Sequence, residues 1–157
     1  MATLERAIEI AARAHAGVRD KQGKSYILHP IRVMMGVESE EAKIVAVLHD
    51  VVEDTDITLD ALRGEGFSEQ VLDALSLVTH RENQSYADYV VGCRSNEIAR
   101  QVKLSDLRDN ANLDRLLLRP EKYDGDSSRM QRYVLSYRFL SDELSETQYR
   151  ELMTPLE

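Results

Sequence analysis

The sequence predicts an all-α fold, a compact helical bundle built around one buried central helix. Three observations carry this. Apolar residues recur at helical spacing along most of the 157 positions. Only three prolines and seven glycines punctuate the chain, most of the glycines between periodic segments. Alternation of period two never extends beyond a few β-branched pairs. No linker, internal repeat or low-complexity tract divides the chain, so residues 1–157 read as a single domain.

Taken in order, Leu4 to Ala16 places Leu4, Ile8, Ala11 and His15 on one stripe and stops at Gly17. Residues 18–28 are mixed and polar around Gly23 and read as a loop. Pro30 suits the first turn of a short helix, Pro30 to Val37. Ser39 is the N-cap of the next helix, whose Glu40 and Glu41 favour the positive end of the helix dipole. That helix, Glu40 to Glu53, is apolar on most sides, and this marks it as the buried one. Further helices are expected at 58–64, 68–79, 85–94, 96–117, 127–142 and 145–153, with Thr58 and Ser68 as caps.

Composition narrows the function. Twenty Lys and Arg against 28 Asp and Glu leave a net charge of −8, which argues against a nucleic-acid binder. A small anionic substrate held by local cations or a metal is compatible with that charge. Cys93 is the sole cysteine and has no internal partner, as expected in a reducing cytoplasm. Glu5, Arg6, Glu9 and Arg13 interrupt the first segment, and no run approaches the ~20 apolar residues of a membrane span. A soluble cytoplasmic protein is expected, and the sequence leaves a homo-oligomer open.

The central helix ends in LHDVVEDTD, with His49, Asp50, Glu53 and Asp54 closing an otherwise apolar stretch. Buried charges are costly unless paired or bound to a metal. Glu53 is four residues after His49 and Asp54 four after Asp50, so each lies one turn further along the same face. One pair could then hold an ion while the other faces what the ion activates. Partners stand elsewhere: His29 in SYILHPIRVM, and Asp106 in ARQVKLSDLRDN. Two histidines and two carboxylates form a mixed N/O set suited to Mn²⁺, Fe²⁺ or Zn²⁺. Among the remaining candidates, His15 reads as packed and His80 as an exposed helix end. Cys93 lacks a ligand or base at useful spacing, and Lys103, three residues before Asp106, either points toward the same site or is in a salt bridge or solvated.

The stretches AARAHAG, GKSYILHPIRVM, AVLHDVVEDT, LVTH and KLSDLRDN span about Ala7 to Asn110, with a weaker RMQRY near residue 130. Together they resemble the HD-domain metal-dependent phosphohydrolases, and more narrowly the (p)ppGpp hydrolase half of RelA/SpoT-type enzymes and the stand-alone small alarmone hydrolases of the stringent response. The resemblance implies an HD-domain bundle in which His29, His49, Asp50 and Asp106 ligate one divalent ion, typically Mn²⁺. It implies that Glu53 and Asp54 orient and deprotonate the attacking water or protonate the leaving group, with pKa values pushed apart. By the same resemblance Lys21 neutralises phosphate, Asn110 contacts the ribose, and Arg129 and Tyr133 face the phosphates or base.

The implied reaction removes the 3′-pyrophosphate of (p)ppGpp. A chain of 157 residues has no room for a synthetase domain, so degradation is the expected direction. Three positions depart from the family pattern. Asp20 stands where an Arg commonly stacks on guanine, with Arg19 one residue away. Asp106-Leu107-Arg108-Asp109-Asn110 keeps the ends of the family's Asp-Arg-Leu-His-Asn run but not its middle, and Leu113 replaces a Thr. These departures motivate an alternative, another nucleotide such as a nucleoside phosphate or NADPH, handled by the same mechanism. A catalytically weak partner-binding module is the third reading, and the complete acidic pair speaks against it.

Overall fold

The computed structural model describes residues 1–157 and is helical throughout, with one isolated bridge between Arg19 and Ser25. The helices are α1 (Leu4–Ala14), α2 (Leu28–Met35), α3 (Glu40–Leu48), α4 (Val51–Asp54), α5 (Leu59–Gly64), α6 (Glu69–Val78), α7 (Tyr86–Arg94), α8 (Glu97–Asn110), α9 (Tyr123–Leu140) and α10 (Glu146–Met153). Short 3-10 turns precede α9 and follow α10. Side-chain caps fix most of the starts. Ser39, Thr58, Ser68, Ser85, Asn96 and Ser145 each accept a backbone N–H of the first turn.

Helix α3 is the buried centre, packed against α1, α2, α6 and α8. Ile44, Val45, Ala46, Val47 and Leu48 are all buried, and full burial of a Val, Ile or Leu is worth roughly 1.5–3 kcal/mol. Thirty buried side chains form one continuous core around it.

Three expected boundaries are corrected. The helix expected over 40–53 breaks at His49–Asp50. His49 Nδ1–H donates to the Ala46 carbonyl at 2.6 Å, taking the acceptor that the Asp50 N–H would use in an unbroken helix. The ladder resumes with Asp54 N–H to the Asp50 carbonyl. The helix expected over 96–117 stops at Asn110. Beyond it the Asn112 side chain accepts the Asp114 N–H at 2.9 Å, a local bond that competes with the helix. The helix expected over 127–142 runs from Tyr123 to Leu140. Pro120 opens the preceding 3-10 turn, and Asp142 at φ 63° closes the C-terminal end.

Helices α2 and α8 must lie close together for His29 and Asp106 to meet. Gly36, just after α2, permits this approach. A Cβ there would lie 2.2 Å from Ser105 Oγ, whose hydroxyl donates to the Val33 carbonyl at 2.8 Å. Gly36→Ala should therefore cost about 1–3 kcal/mol, the usual cost of overpacking. Calorimetry would show a lowered Tm, and an unchanged Tm would refute the close contact.

Candidate metal centre and active site

Three segments converge on one point. Helix α2 brings His29, the α3–α4 break brings His49 and Asp50, and α8 brings Asp106. His29, His49 and Asp50 each offer a ligand atom within 4.8 Å of the others. Asp106 Oδ1 lies 3.2 Å from His29 Nε2 and 3.7 Å from His49 Nε2. Asp50 Oδ1 is 3.2 Å from His49 Nε2, and Asp50 Oδ2 is 3.6 Å from His29 Nε2. Both histidines and Asp106 are buried.

The donor set fits a divalent cation. With Nδ1–H spent on Ala46, His49 Nε2 presents a lone pair that is buried and has no hydrogen-bond partner. It faces carboxylate oxygens, so acceptors converge on acceptors. A cation ligated by all of them removes that repulsion, and mixed imidazole–carboxylate sites suit Mn²⁺, Fe²⁺ and Zn²⁺. Without the ion, protons take its place. Against the penalty of burial, the charges of Asp50 and Asp106 push His49 up to about 9.

Neighbouring groups hold the carboxylates. Tyr26 donates to Asp50 Oδ2 at 2.6 Å. Lys103 Nζ donates to Asp106 Oδ2 at 2.7 Å, and Asn110 Nδ2 donates to Asp106 Oδ1 at 2.7 Å. Lys103 is itself buried, its ammonium 4.8 Å from the Tyr89 ring centre and 5.7 Å from that of Tyr86. Although burial favours the neutral acid, Lys103 and the two imidazoles keep Asp106 well below the usual carboxylate range.

The ligand cluster forms the floor of a cavity of about 460 Å³. Glu53 lines it, with Oε2 accepting the His80 backbone N–H at 2.9 Å. The wall formed by the 18–25 loop, the 111–119 segment and α9 is cationic, with Lys21, Arg115 and Arg129 all lining it. Arg119 and Arg129 share Asp126, which Arg119 grips through Nε at 2.9 Å and Nη2 at 2.7 Å. Burial and the positive charge of Arg129 and Arg119 lower the pKa of the Lys21 ammonium.

No family model matches the chain. A protein of Aquifex aeolicus named guanosine-3′,5′-bis(diphosphate) 3′-pyrophosphohydrolase is 30% identical over 119 residues, 68% of this chain and 17% of that protein. A probable GTP pyrophosphokinase of Mycobacterium leprae is 29% identical over 136 residues, 78% of this chain and again 17% of the relative. The chain thus spans about a sixth of the length of these curated relatives. A solved structure, described as a metazoan ortholog of SpoT that hydrolyzes ppGpp and plays a role in starvation responses, shares the fold. Its TM-score is 0.69 at 21% identity, covering 99% of this chain and 96% of that one. The chain belongs to the RelA/SpoT-type HD-domain family.

In this RelA/SpoT-type domain the structure gathers most of the residues singled out in the sequence. Arg19, Lys21, Asn110, Arg129 and Tyr133 all line the cavity with the ligand cluster and Glu53. Asp54 does not line it, and lies on the side of His15 and Tyr26. Both carboxyls of the acidic pair are shifted upward. Burial and then the charge of Asp50 raise Asp54, and burial, Asp50 and Asp54 raise Glu53 in the same direction. Leu113 is 88% exposed and forms no part of the cavity wall. Asp20 Oδ1 accepts the N–H groups of Gln22 and Lys24, both at 2.9 Å, so its carboxylate is used by the loop's own turn.

Other residues took roles that sequence reasoning assigned differently or missed. His80, read as an exposed helix end, is half-buried and stacked on Tyr89 at 4.9 Å, and its backbone anchors Glu53. The residue pattern carries no signal for a backbone donor. Lys103 proves to be in a buried ion pair, and its spacing three residues before Asp106 was the available signal. Arg115 was hidden by the overlong helix. His15 is packed as expected, in tilted contact with Tyr26 at 5.0 Å, and burial raises the Cys93 thiol to about 12.

Proposed function

We propose that this protein hydrolyses the 3′-pyrophosphate of ppGpp or pppGpp, with water replacing the 3′-oxygen at phosphorus to give pyrophosphate and GDP or GTP. The observation that supports this most is the shared lining of one cavity, where an imidazole–carboxylate cluster and the cations Lys21, Arg115 and Arg129 come together. His29, His49, Asp50 and Asp106 would hold one divalent ion, with Mn²⁺ as the first choice. Such an ion supplies a Lewis acid that makes water more acidic and offsets phosphate charge. Glu53, whose Oε2 is fixed by the His80 N–H, accepts the proton of the attacking water at Oε1 and returns it to the leaving 3′-oxygen. Asp54 adds the negative charge that keeps Glu53 a competent base near neutral pH.

The remaining groups bind. Lys21 and Arg129 take phosphate oxygens, and Asn110, whose amide N–H₂ is tied to Asp106, offers its carbonyl oxygen to a ribose hydroxyl. Tyr133 and Arg19 border the nucleoside. One observation supports a second reading, a nucleotide with another base: the Asp20 side chain is committed to its own turn and offers nothing for a guanine to stack on. We place the protein in the cytoplasm, consistent with helices that are nowhere long and apolar enough to cross a membrane. In either reading the ligand is a small nucleotide and not a nucleic acid.

The test incubates purified protein and Mn²⁺ with ppGpp, pppGpp, NADPH and a nucleotide panel while phosphate and pyrophosphate are followed. Pyrophosphate release from ppGpp is the expected result. Turnover of other nucleotides only would overturn the guanine assignment. No turnover by metal-loaded protein would replace the enzyme with a partner-binding module.

A further inference from the structure

We infer that Asp109 is a positioning residue for the metal centre, fixing the ring orientation and tautomer of His29 from behind. This rests on the metal-site reading above and adds a residue to it. Asp109 lies three residues after Asp106, so α8 presents both carboxylates to α2, one to each nitrogen of a single imidazole. Asp109 Oδ2 stands 2.6 Å from His29 Nδ1. Asp106 Oδ1 stands 3.2 Å from Nε2 on the opposite edge of the ring.

A nitrogen lone pair and a carboxylate oxygen cannot rest 2.6 Å apart without a proton between them. Nδ1 therefore carries hydrogen and donates to Asp109, and Nε2 is left to face the ligand cluster. Histidines that bind metals are commonly oriented through their second nitrogen in this way.

Asp109 is itself held in place. It is 8% exposed, and Arg32 grips it through Nε to Oδ1 at 2.6 Å and Nη2 to Oδ2 at 3.2 Å. Arg115 Nη1 also donates to Oδ2. The same Nη1 lies 2.8 Å from His29 Nδ1, but with that nitrogen already protonated its hydrogen goes to the carboxylate. One fully occupied acid thus links a ligand helix, α2, to a residue of the substrate-facing 111–119 segment. Neither arginine is deeply buried, so each can rehydrate if Asp109 is removed.

The experiment measures Mn²⁺ and Zn²⁺ affinity by titration calorimetry for the whole protein and for Asp109→Ala and Asp109→Asn. Loss of such a supporting carboxylate weakens metal binding by about 10–100-fold, and Asp109→Ala should fall in that range, with Asp109→Asn between it and the parent. Nitrogen-15 spectra of the Zn²⁺-loaded parent should show a slowly exchanging proton on His29 Nδ1 that Asp109→Ala loses. A role confined to folding would shift Tm without moving that proton or the affinity. If Asp109→Ala does not fold, Asp109→Asn, which keeps the side chain's shape, carries the test alone. Unchanged affinity in a folded variant, or a proton on Nε2 in the loaded parent, overturns the role of Asp109. Failure of the parent to bind either metal overturns the metal-site reading instead.

Discussion

Asp106→Ala is expected to lose divalent-metal binding and to destabilise the fold, and the two effects can be separated. Asp106 Oδ1 belongs to the ligand cluster, whereas Oδ2 is the sole carboxylate partner of the buried Lys103 ammonium. Removing one member of a buried pair leaves the other charge uncompensated, at a cost of about 3–5 kcal/mol. For a chain of this length that corresponds to a fall in Tm of roughly 6–20 °C. Hydrolysis should drop by at least about 10²-fold, the scale of losing one strong electrostatic partner in an active site. Adding Lys103→Met to Asp106→Ala removes the stranded charge and should recover most of the Tm with none of the activity. Calorimetry and Mn²⁺ titration on the three proteins read both effects. An Asp106→Ala chain with parental Tm, or one that still turns over substrate, would show that the site is wrongly drawn.

Glu53→Gln should lower kcat by about 10²–10⁴-fold, the usual contribution of a positioned base, with KM changed only a few-fold. Glutamine can still accept the His80 N–H, so the side chain stays in place while the proton acceptor is lost. The pH dependence follows from the environment of Glu53. Burial and the charges of Asp50 and Asp54 raise its pKa above the ordinary 4.5, so the reactive carboxylate form grows as pH rises through that raised value. The kcat/KM of the parent should therefore climb on the acid side as the Glu53 carboxylate forms, and Glu53→Gln should lack that limb. Parental kcat in Glu53→Gln would exclude Glu53 as the base.

Much of the fold and of the ligand set is legible in the residues themselves. Caps such as Ser39, Thr58 and Ser68 mark helix starts because their oxygens satisfy first-turn N–H groups. The apolar run before His49 marks the buried helix because no other placement removes so many aliphatic side chains from water. The break at His49–Asp50 is not legible, since it depends on a side-chain nitrogen competing for the Ala46 carbonyl. The end of α8 at Asn110 turns on the Asx bond of Asn112, and helical periodicity past that point is misleading. His80 acts on Glu53 through a backbone N–H, which any residue type supplies. Asp109 was visible as a departure within a motif, but its meaning required Arg32 and Arg115 from two other segments.

The site divides by backbone type. Each of His29, His49, Asp50 and Asp106 lies on a helix or at a helix end, and its neighbours are anchored in the hydrophobic core. Much of the rest of the cavity wall is carried by the 18–25 loop and the 111–119 segment, joined where Gln22 Nε2 donates to the Asp114 carbonyl at 2.6 Å. Those segments contribute no side chain to the buried core. Exchange of residues there can redraw the shape and charge offered to a nucleotide while the helical floor keeps its geometry. The cluster and the loop-borne part of the cavity wall, with Arg19 and Lys21, thus rest on different kinds of backbone. The exception is Arg115, which reaches from the 111–119 segment to the carboxylate behind His29. A change of selectivity that moved Arg115 would reach the reaction centre as well.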